Sequence, residues 1–258
     1  VLSAGLPAMV FRTEDGGASW TATYDNRTPG VFFNAVDFVD DLRGFAVGDP
    51  IDGRFMLIST TDGGRSWSEL PRESRPLALP GEAGFAASGS CLAVHDDGTI
   101  WFGTGGPVAR VHRSSDWGAM WTVAETPLRS GEPSQGVFSL YFSSDREGHI
   151  VGGDYRDEAN SNGNAAFTRD GGKTWTPAFE PPGGFRECVV PISKEDSRVL
   201  MAVGPSGSDV SEDGGATWRS VGTDGFHAVA FSPDGSTGIA VGADGAVACW
   251  RAVVPVAN

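Results

Sequence analysis

One octapeptide occurs five times in this chain and constrains the fold more than any other feature. It reads Thr13-Glu-Asp15-Gly-Gly17-Ala-Ser19-Trp20, then Thr60-Thr-Asp62-Gly-Gly64-Arg-Ser66-Trp67 and Ser114-Ser-Asp116-Trp-Gly118-Ala-Met120-Trp121. The fourth and fifth copies are Thr168-Arg-Asp170-Gly-Gly172-Lys-Thr174-Trp175 and Ser211-Glu-Asp213-Gly-Gly215-Ala-Thr217-Trp218. Their aspartates lie 47, 54, 54 and 43 residues apart, which is the size of one four-stranded propeller blade. Asp-Gly-Gly between two apolar runs is a hairpin turn, because glycine tolerates positive φ. The Asp carboxylate accepts backbone N–H bonds across its own turn. The Trp opens the next strand and offers a large apolar face. Asp15, Asp62, Asp116, Asp170 and Asp213, with Trp20, Trp67, Trp121, Trp175 and Trp218, are therefore expected as structural clamps of the turns.

The stretches between octapeptides repeat as well. Each unit opens with an apolar strand, at 31–39, 85–94, 137–143, 185–192 and 226–232. A turn bearing Asp or Gly follows, then a short strand ending in Gly48, Gly103, Gly152, Gly204 or Gly242. A third strand runs into the octapeptide and a fourth leaves it. These are strands A to D of a blade, and no segment has a helical period. The expected organisation is one all-β propeller domain over 1–258. Residues 7–24 form a partial blade, 31–70, 85–124, 137–178 and 185–221 form four full blades, and 225–254 form a closing one. Either the chain has about six blades, with 7–24 and 225–254 together closing the ring, or its start is truncated; its first residue is Val rather than Met.

Composition narrows the partners. With 37 glycines among 258 residues and 40% hydrophobic residues, the chain is turn-rich and able to build a core. A net charge of −14 argues against nucleic acid and against an anionic membrane surface. No apolar run approaches the roughly 20 residues of a membrane span. Cys91, Cys188 and Cys249 lack the pairing of a disulfide framework or a zinc site and are expected as buried thiols. No resident metal or cofactor is expected, because no Gly-rich phosphate loop leads into a helix and no Cys/His set suits a redox metal.

The octapeptides resemble Asp-box (BNR) repeats, whose pattern is Ser/Thr-x-Asp-x-Gly-x-Thr/Ser-Trp. Four of the five match fully, and the third carries Met120 where Ser or Thr is usual. Within that sialidase-like superfamily the chain is most similar to bacterial propellers of the photosystem II assembly and stability factor type. The resemblance implies a seven-bladed parent of four-stranded antiparallel blades and export to the periplasm or beyond. By that measure this chain lacks a first blade and half a second.

In such a fold the octapeptides lie on the rim, and a ligand site belongs on the opposite face, where B–C and D–A connections gather. Two sets of residues are expected there. Asn34, Ser139, Arg186 and His227, with Ser88 or Ser90, follow the aromatic that opens strand A and ring the mouth of a central channel. Asp49 and Arg54, and Asp154, Tyr155 and Arg156 with the long polar stretch to Asn164, belong to B–C loops. Glu187 adjoins the first set. Arg54, Arg156 and Arg186 are expected to form a local positive patch. The function expected is a non-catalytic binding or assembly scaffold, taking a protein or a carbohydrate-like small ligand on this face. The alternative is glycoside hydrolysis, which needs two carboxyls about 5–9.5 Å apart; Glu187, Asp154, Asp157, Glu158 and Asp49 are the available acids. No Arg-Ile-Pro motif is present, and only Tyr24, Tyr141 and Tyr155 could serve as a tyrosine nucleophile.

Overall fold

A computed structural model describes residues 1–3 and 5–251. Strands β1 (Ala8–Arg12) and β2 (Thr21–Asn26) form a two-stranded sheet. Four four-stranded sheets follow. The first holds β3 (Phe33–Phe38), β4 (Gly44–Ile51), β5 (Arg54–Thr60) and β6 (Ser68–Glu69), and the second β7 (Leu92–Val94), β8 (Ile100–Thr104), β9 (Arg110–Ser114) and β10 (Thr122–Glu125). The third holds β11 (Gln135–Phe142), β12 (Gly148–Asp154), β13 (Ala165–Thr168) and β14 (Thr176–Pro177), and the fourth β15 (Cys188–Pro191), β16 (Leu200–Gly204), β17 (Gly207–Ser211) and β18 (Arg219–Gly222). A three-stranded sheet closes the order with β19 (Ala228–Phe231), β20 (Thr237–Val241) and β21 (Val247–Arg251). Every pairing between these strands is antiparallel and follows chain order within its sheet. The innermost strands β3, β7, β11, β15 and β19 neighbour one another in turn. That is a propeller: an all-β disc of antiparallel blades, interrupted among the described residues only by 3₁₀ turns at Arg72–Ser74 and Ala243–Gly245.

Its core is a set of seams. Five clusters of buried apolar side chains each join one sheet to the next, from Ala8 and Val10 against Phe33 and Met56 to Met201 and Val203 against Phe226 and Val229. Phe55 meets Phe102 edge-on at 5.1 Å, and Trp101 stacks on Phe142 at 4.0 Å. A two-faced sheet cannot bury both faces within itself, so blades gain stability from their neighbours. The sheets β1–β2 and β19–β21 share neither a pairing nor a core cluster among the described residues. One face of β19–β21 leaves Ile239, Val241 and Val247 exposed. Cys249 lies exposed on β21, whereas Cys91 and Cys188 are buried as expected. Residues 252–254 of the expected last blade lie outside the described residues.

The recurrent glycine at the end of the second strand has a steric cause. A Cβ on Gly48, Gly152, Gly204 or Gly242 would collide with the backbone carbonyl of Phe32, Gly136, Phe185 or Gly225. The innermost strand therefore approaches its neighbour closely only at glycine.

The octapeptide is a closed hydrogen-bond unit. In the second copy Thr60 Oγ1 donates to Asp62 Oδ1 (2.8 Å) and accepts the Gly64 N–H (3.0 Å). Asp62 accepts the Ser66 N–H at Oδ1 (3.0 Å) and the Ser66 hydroxyl at Oδ2 (2.6 Å). The first, fourth and fifth copies repeat this pattern. The Ser19 hydroxyl and N–H hold the Asp15 carboxyl down to about 2, as expected for an anion with several donors. Each Trp stands one residue before the outer strand rather than within it. The indole N–H of Trp20, Trp121 and Trp218 folds back onto the carbonyl of the second glycine position. The turn is also tied to the preceding A–B turn, as Gly63 N–H donates to Leu42 O (2.8 Å) and Gly171 N–H to Arg146 O (2.8 Å).

The third octapeptide departs twice. Trp117 occupies a glycine position at φ 59°, a strain of about 1–2 kcal/mol for a bulky residue. Its ring stacks on Phe45 at 6.2 Å with the Arg43 guanidinium 4.7 Å from its centre, which offsets that strain. Met120 leaves Asp116 Oδ2 without the hydroxyl donor of the other copies and is 73% exposed. Met120→Thr restores that donor. It is expected to raise Tm by about 1–3 °C, under about 1 kcal/mol because the site is solvated; a thermal melt unchanged or lowered would refute this.

Candidate functional site

The expected innermost strand over 85–94 is a strand only at Leu92–Val94. Residues 85–91 leave the sheet because their small side chains bond across the ring instead. Ser90 and Ser139 hydroxyls share a hydrogen bond (2.6 Å), as do Ser88 and Ser90 (2.6 Å). Ser88 also donates to the Glu187 carbonyl (2.7 Å), and Ser139 accepts the Val189 N–H (2.9 Å). Three blades are thus joined through serines.

Beside this serine chain Glu187 and His227 meet across successive blades. Glu187 Oε2 lies 2.6 Å from His227 Nδ1. The Glu187 side chain is only 11% exposed, and that of His227 is 42% exposed. Burial pushes the Glu187 carboxyl up, against the pull of His227 and with a further upward push from Glu158. The carboxylate orients the imidazole so that its far edge is left for solvent or a partner.

The polar loop after β12 is fastened down. Asp154 is buried, accepts from Gln135 Nε2 (2.8 Å) and from the Arg156 N–H (2.9 Å), and has Arg129 at 3.8 Å. Burial raises its carboxyl, but those bonds and the Arg129 charge bring it below the usual range. Arg129 Nη1 pairs with Asp157 (2.8 Å), and Arg129 N–H donates to Gly163 O (2.7 Å). Glu158 O accepts the Phe185 N–H (2.9 Å) and the Ser206 hydroxyl (3.0 Å), fixing the loop to the next blade just before Glu187. Under the loop Phe138 stacks on Phe85 (3.7 Å) and meets Phe185 (4.6 Å) and Tyr155 (6.3 Å) edge-on. Tyr155 stays 42% exposed with Arg156 over its ring at 5.9 Å. Gln135 and Arg129 were not singled out in the sequence, because their partners Asp154 and Asp157 lie 19 and 28 residues further along the chain.

The other expected residues do different work. Asn34 is buried and donates to Asp49 Oδ1 (2.9 Å), which also accepts the Gly84 N–H (3.0 Å); this pair anchors the connector after β6. Arg54 is half-buried and donates to the Arg75 carbonyl. Arg186 is a correction: it is 2% exposed and pairs with Asp209, with Nε donating at 2.7 Å. A guanidinium next to an aromatic strand opener reads as a surface group in sequence, but a carboxylate two strands away makes its burial tolerable. The three arginines stand on three blades, and Arg156 is the most exposed of them. Arg186 is therefore spent within the fold rather than on a surface patch.

No family model matches the chain. It is 27% identical over 239 residues to the photosystem II assembly lipoprotein Ycf48 of Synechococcus sp. (strain CC9902), covering 86% of this chain and 63% of that protein. The chain is a propeller similar to photosystem II assembly factors. A second such protein, from Synechococcus sp. (strain JA-3-3Ab), is 27% identical over 179 residues, 66% of this chain and 42% of its own length. The chain thus spans less than two thirds of either relative. Among solved structures, YCF48 from Cyanidioschyzon merolae superposes with a TM-score of 0.57 at 20% identity, over 97% of this chain and 76% of that one. YCF48 bound to D1 peptide superposes at 0.50 and 19%, over 98% and 89%. The GH74 enzyme of Niastella koreensis superposes at 0.57 and 14%, over 93% and 48%. These likenesses establish the fold.

Proposed function

We propose that the chain is a non-catalytic binding and assembly scaffold. It docks a protein segment on the face formed by B–C and D–A connections. The observation that carries this reading is the anchored loop 154–164. It displays Tyr155 and Arg156, and its Glu158 is fastened just before Glu187, so it need not be ordered on binding. Tyr and Arg are the side chains that dominate interface energies, and preorganisation removes the ordering cost. The likeness to photosystem II assembly proteins, one of them solved with a bound peptide, supports a protein partner. The lipoprotein among them supports an exported location.

The test is direct binding of the D1 peptide to the intact chain by fluorescence polarisation. Tyr155→Ala with Arg156→Ala is expected to weaken binding at least about 10-fold, roughly 1.4 kcal/mol or more, with Tm unchanged. Equal binding by wild type and variant, or no binding, counts against this face. The second reading, glycoside hydrolysis, rests on the GH74 likeness and on a Glu187 carboxyl raised by burial. Sugar hydrolysis that disappears in Glu187→Gln would replace the scaffold reading.

A further inference from the structure

In the first and second full blades the second residue of the B strand packs on the octapeptide of the next blade. Phe45 stacks on Trp117, and the Trp101 indole donates to Gly171 O at 2.9 Å. In the third full blade this position is His149, which faces Gly214 and Gly215 of the following octapeptide. His149 is 6% exposed, and its Nδ1 has no hydrogen-bond partner among the described residues. An orphaned buried nitrogen in a place where other blades put an apolar ring points to a missing partner.

Beside it is a cavity of about 120 Å³, lined by Ser143, Arg169, Ser197 and Arg198 as well as His149. It lies on the octapeptide side of the disc, at the seam of the third and fourth full blades. Both guanidinium groups are loosely held: Arg169 lies 3.7 Å from Glu147 and Arg198 lies 3.4 Å from Asp196. Two acids also line the cavity. Glu147 is the loose partner of Arg169, and Asp213 is occupied by donors from Ser211, Ala216 and Thr217. Tyr141, stacked on the imidazole at 6.3 Å, completes its surroundings.

We propose that this cavity binds a small oxyanion, a phosphate or carboxylate group, gripped by Arg169 and Arg198 and completed by His149. Planar guanidinium forks match both anions, and serine hydroxyls add donors. Burial, and then the Arg169 charge, hold His149 down to about 4 in the free protein, so the ring is neutral at pH 7. A bound anion favours the imidazolium, so the pH at which His149 takes up a proton rises when the anion is bound. Binding therefore strengthens as pH falls.

The test is NMR observation of the His149 ring while inorganic phosphate, or separately acetate, is added at constant ionic strength. A saturable His149 shift is expected at millimolar concentrations, with its titration midpoint raised by about one unit or more. Arg169→Ala and Arg198→Ala, both at exposed positions, are each expected to weaken binding about 10-fold. Preference for phosphate or for acetate identifies which group the site takes. No saturable shift with either probe, or shifts identical in the two arginine variants, overturns the proposal.

Discussion

Arg186→Ala is expected to cost about 3–5 kcal/mol, a fall in Tm of roughly 10 °C or more. The guanidinium is spent on three groups: Asp209 through Nε and Nη2, the Phe185 carbonyl (2.8 Å) and the Ser206 hydroxyl (2.9 Å). Both partners of the ion pair are 2% exposed. Removing the cation leaves the Asp209 carboxylate in the interior, supported only by the Gly183 N–H at 3.2 Å. Desolvation of that charge, more than the lost contact, sets the magnitude. Replacing both partners by apolar residues, Arg186→Met with Asp209→Leu, is expected to recover much of the loss. Urea melts of the single and double variants measure both effects. A single variant within about 1 kcal/mol of wild type would mean that water reaches the pair.

Glu82→Ala is expected to cost a similar amount, about 3–5 kcal/mol. The Glu82 side chain is fully buried in the connector between β6 and β7. It accepts from Thr104 Oγ1 (2.6 Å), Arg110 Nε (2.9 Å) and Leu79 N–H (2.8 Å), pairs with Arg110 Nη2, and lies 3.1 Å from His112 Nε2. One carboxylate thereby holds the connector against two strands of the next blade. Burial opposes its ionisation, but the bonds from His112, Arg110 and Thr104 prevail and hold it down to about 2. A depressed folded pKa adds stability above the unfolded value of 4.5, and that stability is lost as pH falls from about 4.5 to about 2. The wild type is expected to lose stability across that window, and Glu82→Ala to show a flatter acid limb. Parallel acid limbs in the two proteins would remove Glu82 from the account.

Much of the fold was legible because its signals are local. Thr60, Asp62, Gly64 and Ser66 bond one another within seven residues, so the octapeptide's chemistry is complete in its own sequence. The same locality exposes the weak third copy, where Met120 lacks the hydroxyl. The strand-ending glycines were visible as a period, although the carbonyls they make room for were not. The site was less legible. Arg186 resembled a surface cation, because Asp209 is 23 residues away and only the β15–β16–β17 register brings them together. Ser88 and Ser90 resembled the start of a strand. Their bonds to Ser139 and to the Glu187 carbonyl cross the ring and depend on where three blades converge.

The sequence alone determined the unit: a turn closed by its own aspartate, a glycine wherever the backbone crowds, and an apolar face on each strand. Those features depend on interactions within a few residues, so they survive any arrangement of the blades. The tertiary structure decided which charges are hidden, which loop is held rigid and which imidazole is left without a partner. Each of those depends on groups brought together from different blades, and burial there turns a modest surface contact into a large energetic term.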